Sequence, residues 1–395
     1  FIRGIIKMKY DYIVKNAKLV DFNKLSTYSG TVYVKDGVFA EAPADGVAEA
    51  QFEVDAKNNY VVPGLVDEHV HLNYLNSNIG ANADLLCIPM GVTTAVDGGT
   101  SGWTNVEGFY TNNIVRYVPN VKVYLHVSPY GVHSGVIHEE NQDPADFNVE
   151  QIIKKSVKYK DVIVGLKVRE CTKTLGEYGI DPLKKTVEIA KEVEAATGKK
   201  CTIDVHYDDL PENVSCRDIL DTLRPGDVIS HIMQVHRETM FNPDGTVRDI
   251  LKEAQKRGIV IDDCHGRVHW SFEHLKAAFS EGFYPDIISS DVVRISMFVR
   301  PGFSLVHAMN TNLAAGMDEL RILKAVTKTP AEVLGITDEA GTMDIGKPAD
   351  ICIMGMQDTD EVLSDFWGGS CYADRLFVPL MTFKDGVPVF RQTFF

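Results

Sequence analysis

Val-Val-Pro-Gly-Leu-Val-Asp-Glu-His-Val-His, residues 61–71, decides how the rest of the chain is read. It is an apolar run that ends in two histidines, His69 and His71, two positions apart. On a strand, residues two apart point to the same side, so both imidazoles can face one metal ion. His-x-His recurs by chance, so its weight depends on what lies further along the chain.

Counting residues 64–71, eight apolar strand candidates follow one another. The others lie at 91–97, 121–127, 162–168, 201–206, 227–231, 259–264 and 286–291. Helical stretches separate them, for example 181–197 and 246–257, with stops at Thr197-Gly198 and Arg257-Gly258. Strands alternating with helices predict a parallel sheet with crossovers, and eight such units predict an α/β fold of the (β/α)₈ TIM-barrel type. The two ends read differently. Residues 12–19, 30–35 and 59–62 are β-like, with a hairpin turn at Asp36-Gly37, and so are 349–354, 376–382 and 387–390. The expectation is a small β-sandwich built from 8–62 and 340–395, around a catalytic barrel spanning 63–339. Met8 is read as the natural start, with residues 1–7 an upstream extension.

With 40 basic and 55 acidic residues, the formal charge of −15 argues against nucleic acid or an anionic membrane as a partner, leaving a small-molecule substrate as the expected partner without saying which. Seven scattered cysteines without a Cys-x-x-Cys read as reduced thiols, which points to the cytoplasm. No apolar run is long enough to cross a bilayer.

Polar residues collect where the strands end, the face on which barrel enzymes keep their chemistry. Predicted strands five and six end in His206 and His231. One such residue would read as a core histidine bonded to a carbonyl; four at three strand ends read as metal ligands. Predicted strand eight ends in Asp291, either a helix cap or a ligand that also transfers a proton. Lys167 closes the apolar run of strand four. It is either a salt-bridged lysine or one converted by CO₂ to an anionic carbamate, whose two oxygens can hold two cations.

The order His69-x-His71, Lys167, His206, His231, Asp291 resembles the amidohydrolase superfamily, in the binuclear subtype that includes dihydroorotase, hydantoinase and isoaspartyl dipeptidase. Residues 61–71, Gly-Val-Thr-Thr-Ala-Val-Asp-Gly-Gly-Thr at 91–100, and the stretches 329–336 and 341–353 carry the same likeness over nearly the whole chain. Gly165–Arg169 and Asp262-Asp263-Cys264-His265-Gly266 are similar to runs in the amidohydrolase/deacetylase-type metallohydrolases.

The resemblance implies two divalent ions, Zn²⁺ first and Mn²⁺ or Fe²⁺ as alternatives. His69, His71 and Asp291 would hold one, His206 and His231 the other, with carboxylated Lys167 bridging them. A shared hydroxide would attack an amide, cyclic amide or ester carbonyl while Asp291 carries the proton. Deacylation is the reaction expected, with cyclic-amide opening next. A mononuclear deaminase or a ligand-poor scaffold are the rivals; Lys167 opposes the first and the filled ligand set the second. The resemblance also implies a homo-oligomer.

Arg169, on the same side as Lys167, is a substrate-carboxylate candidate, or else a partner of Glu170 or another acid. Tyr130 and His133 after strand three and His265 after strand seven are loop candidates for substrate contact. His236, His269, His274 and His307 read as ordinary loop or helix histidines, and 132–143 as a loop particular to this protein.

Overall fold

The protein, described from a computed structural model over residues 10–44, 48–132, 140 and 142–395, has a mixed α/β fold built on two sheets. The first collects both ends of the chain. From the N-terminal side come β1 (Tyr10–Asp21), β2 (Ser26–Lys35), β3 (Val38–Ala40), β4 (Ala50–Asp55) and β5 (Tyr60–Pro63). The second sheet is laid down next, as β6 (Leu65–Val70), β7 (Val92–Asp97), β8 (Asn120–His126), β9 (Ile163–Glu170), β10 (Thr202–Tyr207), β11 (Val228–Ser230) and β12 (Val260–Ile261). The chain then returns to the first sheet through β13 (Ile351–Ser364), β14 (Ser370–Lys384) and β15 (Val387–Arg391).

In the first sheet the order is β15-β14-β13-β5-β1-β2-β3, with β4 paired to β1. The two ends meet where β13 runs antiparallel to β5, Ile353 opposite Val61. Their buried faces share one core, in which Val14, Val34 and Val61 pack with Ile351, Ile353 and Phe383. Strand pairing joins all eight strands into one sheet. β13 and β14 run much further than the β-like runs at 349–354 and 376–382. Residues 355–362 carry many polar and half-exposed positions, a pattern that hides a strand from a reading based on apolar runs.

The second sheet is seven parallel strands in sequence order, curled so that its inner face collects the strand-end side chains. Its strands are buried along most of their length, as expected when helices cover one face and a core fills the other. The crossover helix Asp181–Thr197 ends at Gly198 in the left-handed region (φ 68°), the predicted stop. The helix expected at 246–257 is shorter, Asp249–Lys256, because Thr246 donates to Asp244 in a preceding turn.

The segment expected as an eighth strand, 286–291, forms a single parallel bridge, Asp262 with Ile287, rather than a ladder. It nevertheless lies hydrogen-bonded on both sides. His265 N donates to Ser289 O (3.1 Å) on one side, and Asp291 N to His69 O (2.7 Å) on the other. Side chains add to these backbone bonds. Asp286 Oδ2 accepts from Ile261 N (3.0 Å), and Asp67 accepts from Ser290 N and Oγ (3.0 and 2.6 Å). All seven cysteines are free, and no described helix is long and apolar enough to cross a membrane.

One carboxylate is buried at a cost. Glu170, at the end of β9, is fully buried, and neither oxygen has a hydrogen-bond partner among the described residues. Burial pushes its carboxyl up to about 8 from 4.5. The folded chain therefore keeps a proton that the unfolded chain releases near 4.5, so this residue's contribution to stability falls as pH rises from there to about 8. Glu170→Gln should flatten that fall. The measurement is Tm at about pH 5 and about pH 9, and an undiminished drop in the variant would refute the assignment.

Candidate active site

β6 delivers His69 and His71 to the inner mouth of the curled sheet, both buried. His71 Nδ1 donates to Thr100 Oγ1 (2.8 Å), whose own proton goes to Asp97 Oδ2 (2.8 Å). That chain sets the tautomer, leaving the His71 Nε2 lone pair 3.2 Å from Asp291 Oδ1. His69 Nε2 is 3.7 Å from the same oxygen. A lone pair and a carboxylate oxygen facing each other in a buried site call for a cation between them, a proton or a metal.

His206 and His231 form a second pair beside the first. His231 Nδ1 donates to Cys264 O (2.7 Å), so its Nε2 accepts from His206 Nδ1 (2.9 Å). His206 Nε2 is then buried with no hydrogen-bond partner. His231 Nε2 lies 4.0 Å from Asp291 Oδ2, so this carboxylate faces both pairs. Burial, reinforced by Arg169 and neighbouring histidines, pulls His206 well below the usual imidazole range; burial and His269 do the same to His231. Both rings are neutral near pH 7, the state that binds metal. For Asp291, burial acts upward; when a proton sits between His71 Nε2 and the carboxylate, the hydrogen bond from His71, followed by the neighbouring His231 and His69, acts downward and holds the carboxyl well below its usual range.

Lys167 points inward and is buried, its Nζ 3.3 and 3.4 Å from the two nitrogens of His69. It donates to Asp204 Oδ2 at 2.5 Å, and His69 Nδ1 lies 3.0 Å from that oxygen. The salt-bridged reading of Lys167 is thus the state of the unmodified side chain, with Asp204 as the acid. The donor set fits two cations. Its nitrogens and oxygens suit Zn²⁺, Mn²⁺ or Fe²⁺, and it includes an orphaned buried nitrogen and a facing acceptor pair. Donor atoms of His69, His71 and Asp291 lie within 4.8 Å of one another, as do those of His206, His231 and His269.

The approach of these groups depends on residues with little or no side chain. A Cβ on Gly98 would sit 2.4 Å from the His69 ring, and one on Gly99 2.6 Å from Lys167 Cγ. This is the physical content of the Gly-Gly pair in 91–100. A Cβ on Gly266 would fall 2.6 Å from Asp291 Oδ2. Three residues at successive strand ends, His231, Cys264 and Asp291, have positive φ (71°, 41° and 43°), strain of a kind that clusters at functional sites.

The substrate-contact candidates divide. Arg169 Nη1 bonds Glu140 Oε2 (2.6 Å), and Glu140 Oε1 lies 3.0 Å from His126 Nε2, so its acid partner is Glu140 and not Glu170. His265 is enclosed by protein. Its Nε2 is 2.5 Å from Asp263, its ring stacks on Trp270 at 4.4 Å, and it bonds Thr311 and Asn312. Tyr130 is 39% exposed in the loop after β8, where its carbonyl accepts from Asn105. His133 lies outside the described residues, as does most of the 132–143 loop.

Other residues enter that the sequence reading passed over. Asp204 sits two before His206 on β10, so the alternation that selected His69 and His71 selects it too. His269, read as an ordinary loop histidine, has its ring 4.3 Å from His231 and 5.2 Å from His206. Its place depends on how the loop after β12 folds, for which the local pattern carries no signal. Cys264 faces His69 and His231, with donor atoms within 4.8 Å.

With this geometry established, the likeness to known proteins can be stated. Residues 60–387 match the family model described as Amidohydrolase family. A deacetylase of Agrobacterium fabrum is 29% identical over 375 residues, 93% of this chain and 88% of that protein. A solved adenine deaminase superposes with a TM-score of 0.87 at 26% identity, over 97% of this chain and 100% of its own. A dihydroorotase gives 0.85 at 26% identity, over 96% and 99%. The chain belongs to the amidohydrolase family and is a hydrolase.

Gly98→Ala should displace His69 and weaken metal retention about tenfold or more, since a ring moved by even about 1 Å cannot share a ligand set. Metal content after dialysis against a graded chelator measures this. Wild-type retention would show that the close approach of Gly98 is not required.

Proposed function

We propose that this amidohydrolase cleaves the acyl–nitrogen or acyl–oxygen bond of a small molecule, as a deacylase working with two divalent ions. The observation that carries the reading is the meeting of six side chains from five places in the chain, with Asp291 facing both histidine pairs. The likeness over 93% of the chain to a protein named a deacetylase favours deacylation. The curled sheet and the segment at 286–291 are read together as a closed (β/α)₈ barrel of residues 63–339. Residues 8–62 and 340–395 are read as its β-sandwich companion. Seven free thiols fit a reducing compartment, the cytoplasm.

His69, His71 and Asp291 would hold one ion and His206 and His231 the other, zinc being the first choice. Lys167, as a carbamate, would lie between them. When bound, the ions supply a Lewis acid for the scissile carbonyl and a water acidic enough to attack near neutral pH. The chain's own residues do the rest. Asp291, facing both pairs, accepts the proton of the attacking water at a carboxylate oxygen and returns it to the departing amine or alcohol. The Thr100–Asp97 chain holds His71 in one tautomer, and the Cys264 carbonyl does so for His231. Arg169, held by Glu140, presents a guanidinium on the His206 side for a substrate carboxylate.

Opening of a cyclic amide is the second reading, favoured by the 0.85 TM-score to a dihydroorotase. A panel of N-acyl amino acids, acylated hydroxy acids and cyclic imides separates the two.

Asp291→Asn should lower kcat by at least about 100-fold while metal analysis still finds bound ions. Wild-type turnover in that variant would remove Asp291 as the proton carrier. Lys167→Ala should abolish activity and regain part of it with added short carboxylic acids, which can enter the space of the lost carbamate. Full activity without them would end the bridging role.

A further inference from the structure

We propose that the tip of the β13–β14 hairpin is a specificity-determining wall of the active site, in which Phe366 and Trp367 receive a planar apolar group of the substrate. This inference rests on the deacylase reading above and names the substrate class that the site would take.

The tip is Asp365-Phe-Trp-Gly-Gly369. It is a built turn. Asp365 Oδ1 accepts from the amides of Trp367 (2.8 Å) and Gly369 (2.7 Å), and its Oδ2 accepts from Phe272 N (2.9 Å) at the start of the helix Phe272–Ser280. A Cβ on Gly369 would meet Asp365 Oδ2 at 2.3 Å, and Gly368 has φ 93°, so the turn depends on both glycines. Lys276 Nζ donates to Ser370 O (3.1 Å), and Cys371 Sγ to Ala314 O (3.0 Å), which fastens the hairpin to two helices of the barrel. The hairpin's long reach beyond the first sheet thus ends at a fixed place.

That place is one residue layer from the donor cluster. Trp367 Nε1 donates to Val268 O (3.0 Å), the residue before His269. The Trp367 ring meets His236 edge to face at 5.4 Å, and His236 bonds Asp208, whose other oxygen is 4.0 Å from His269 Nδ1. His269 in turn lies 4.3 Å from His231. A continuous line of rings therefore runs from the hairpin to the second histidine pair. Phe366 and Trp367 remain 48% and 44% exposed, with the Arg267 guanidinium 5.5 Å over Phe366. Two large aromatic rings left half bare, one of them tied to Val268 and packed on His236 beside the donor cluster, are the kind of surface that takes a flat apolar group.

The test uses the zinc-loaded enzyme and two substrate pairs differing by one aromatic ring. One pair is N-acetyl against N-phenylacetyl on a common amine; the other is N-acetylalanine against N-acetylphenylalanine. The wild type should prefer the aromatic member of one pair. Phe366→Ala and Trp367→Ala should each lower that preference roughly tenfold, through KM. An unchanged ratio in both pairs, or an equal loss for both members, overturns the proposal. Phe366 makes no side-chain hydrogen bond, so its variant decides the matter if Trp367→Ala fails to fold. Independently of turnover, calorimetric titration with phenylacetate and N-acetylphenylalanine should show the ligand that matches the preferred pair binding roughly tenfold more weakly in both variants. Wild-type affinity in the variants, or no binding to the wild type, overturns the wall. Binding with this pattern but no hydrolysis of any of these acyl substrates overturns the deacylase reading and leaves the wall standing.

Discussion

A buried lone pair facing a carboxylate oxygen is the constraint on which the site depends. His71 Nε2 and Asp291 Oδ1 are 3.2 Å apart, and the hydrogen-bond chain through Thr100 to Asp97 leaves no proton to spare on the far side of the ring. His206 Nε2 repeats the condition with no partner at all. Folding has buried acceptors that the protein itself does not satisfy, which is costly unless a cation arrives. The low pKa values of His206 and His231 point the same way, because these rings resist taking up protons as the substitute.

What holds the acceptors together is backbone as much as side chain. Gly98 and Gly99 let the chain just after β7 pass within contact of His69 and Lys167, and Gly266 leaves room for the Asp291 carboxylate. The left-handed conformations of His231, Cys264 and Asp291 turn the chain sharply at successive strand ends. Beside its backbone bonds, the segment at 286–291 is held by side chains: Asp67 accepts from Ser290, Asp262 from Ser289, and the segment's own Asp286 accepts from Ile261 N. Its irregularity is part of how Asp291 reaches the site.

The parallel strands were legible because each is an apolar run bounded by turns, and His69 with His71 because alternation on a strand is a rule of geometry. The same rule covers Asp204, two before His206, yet an acid inside an apolar run draws less notice than a histidine at its end. His269 and Glu140 could not be found this way. They reach the site from loops, where position follows from tertiary folding. The long hairpin was half visible: its apolar root at 349–354 and 376–382 was read as β, while the half-exposed stretch that carries Phe366 and Trp367 to the site was not. The segment expected as the eighth strand, 286–291, forms one bridge, Asp262 with Ile287, and not a strand with a ladder.

Asp204 is where the two readings of Lys167 part. In the unmodified protein its carboxylate takes the Lys167 ammonium and lies 3.0 Å from His69 Nδ1, and both neighbours help hold it ionised despite burial. An ammonium at that point would repel two dications, so metal loading and the Lys167 proton compete for the same place. Conversion of Lys167 to an anion removes the competition but deprives Asp204 of its strongest partner. Ser230 Oγ already donates to the other oxygen of Asp204 at 2.6 Å, and His69 remains to donate to the first. The carboxylate can therefore stay satisfied by orienting His69, with Nε2 turned toward Asp291 and the cation they would share.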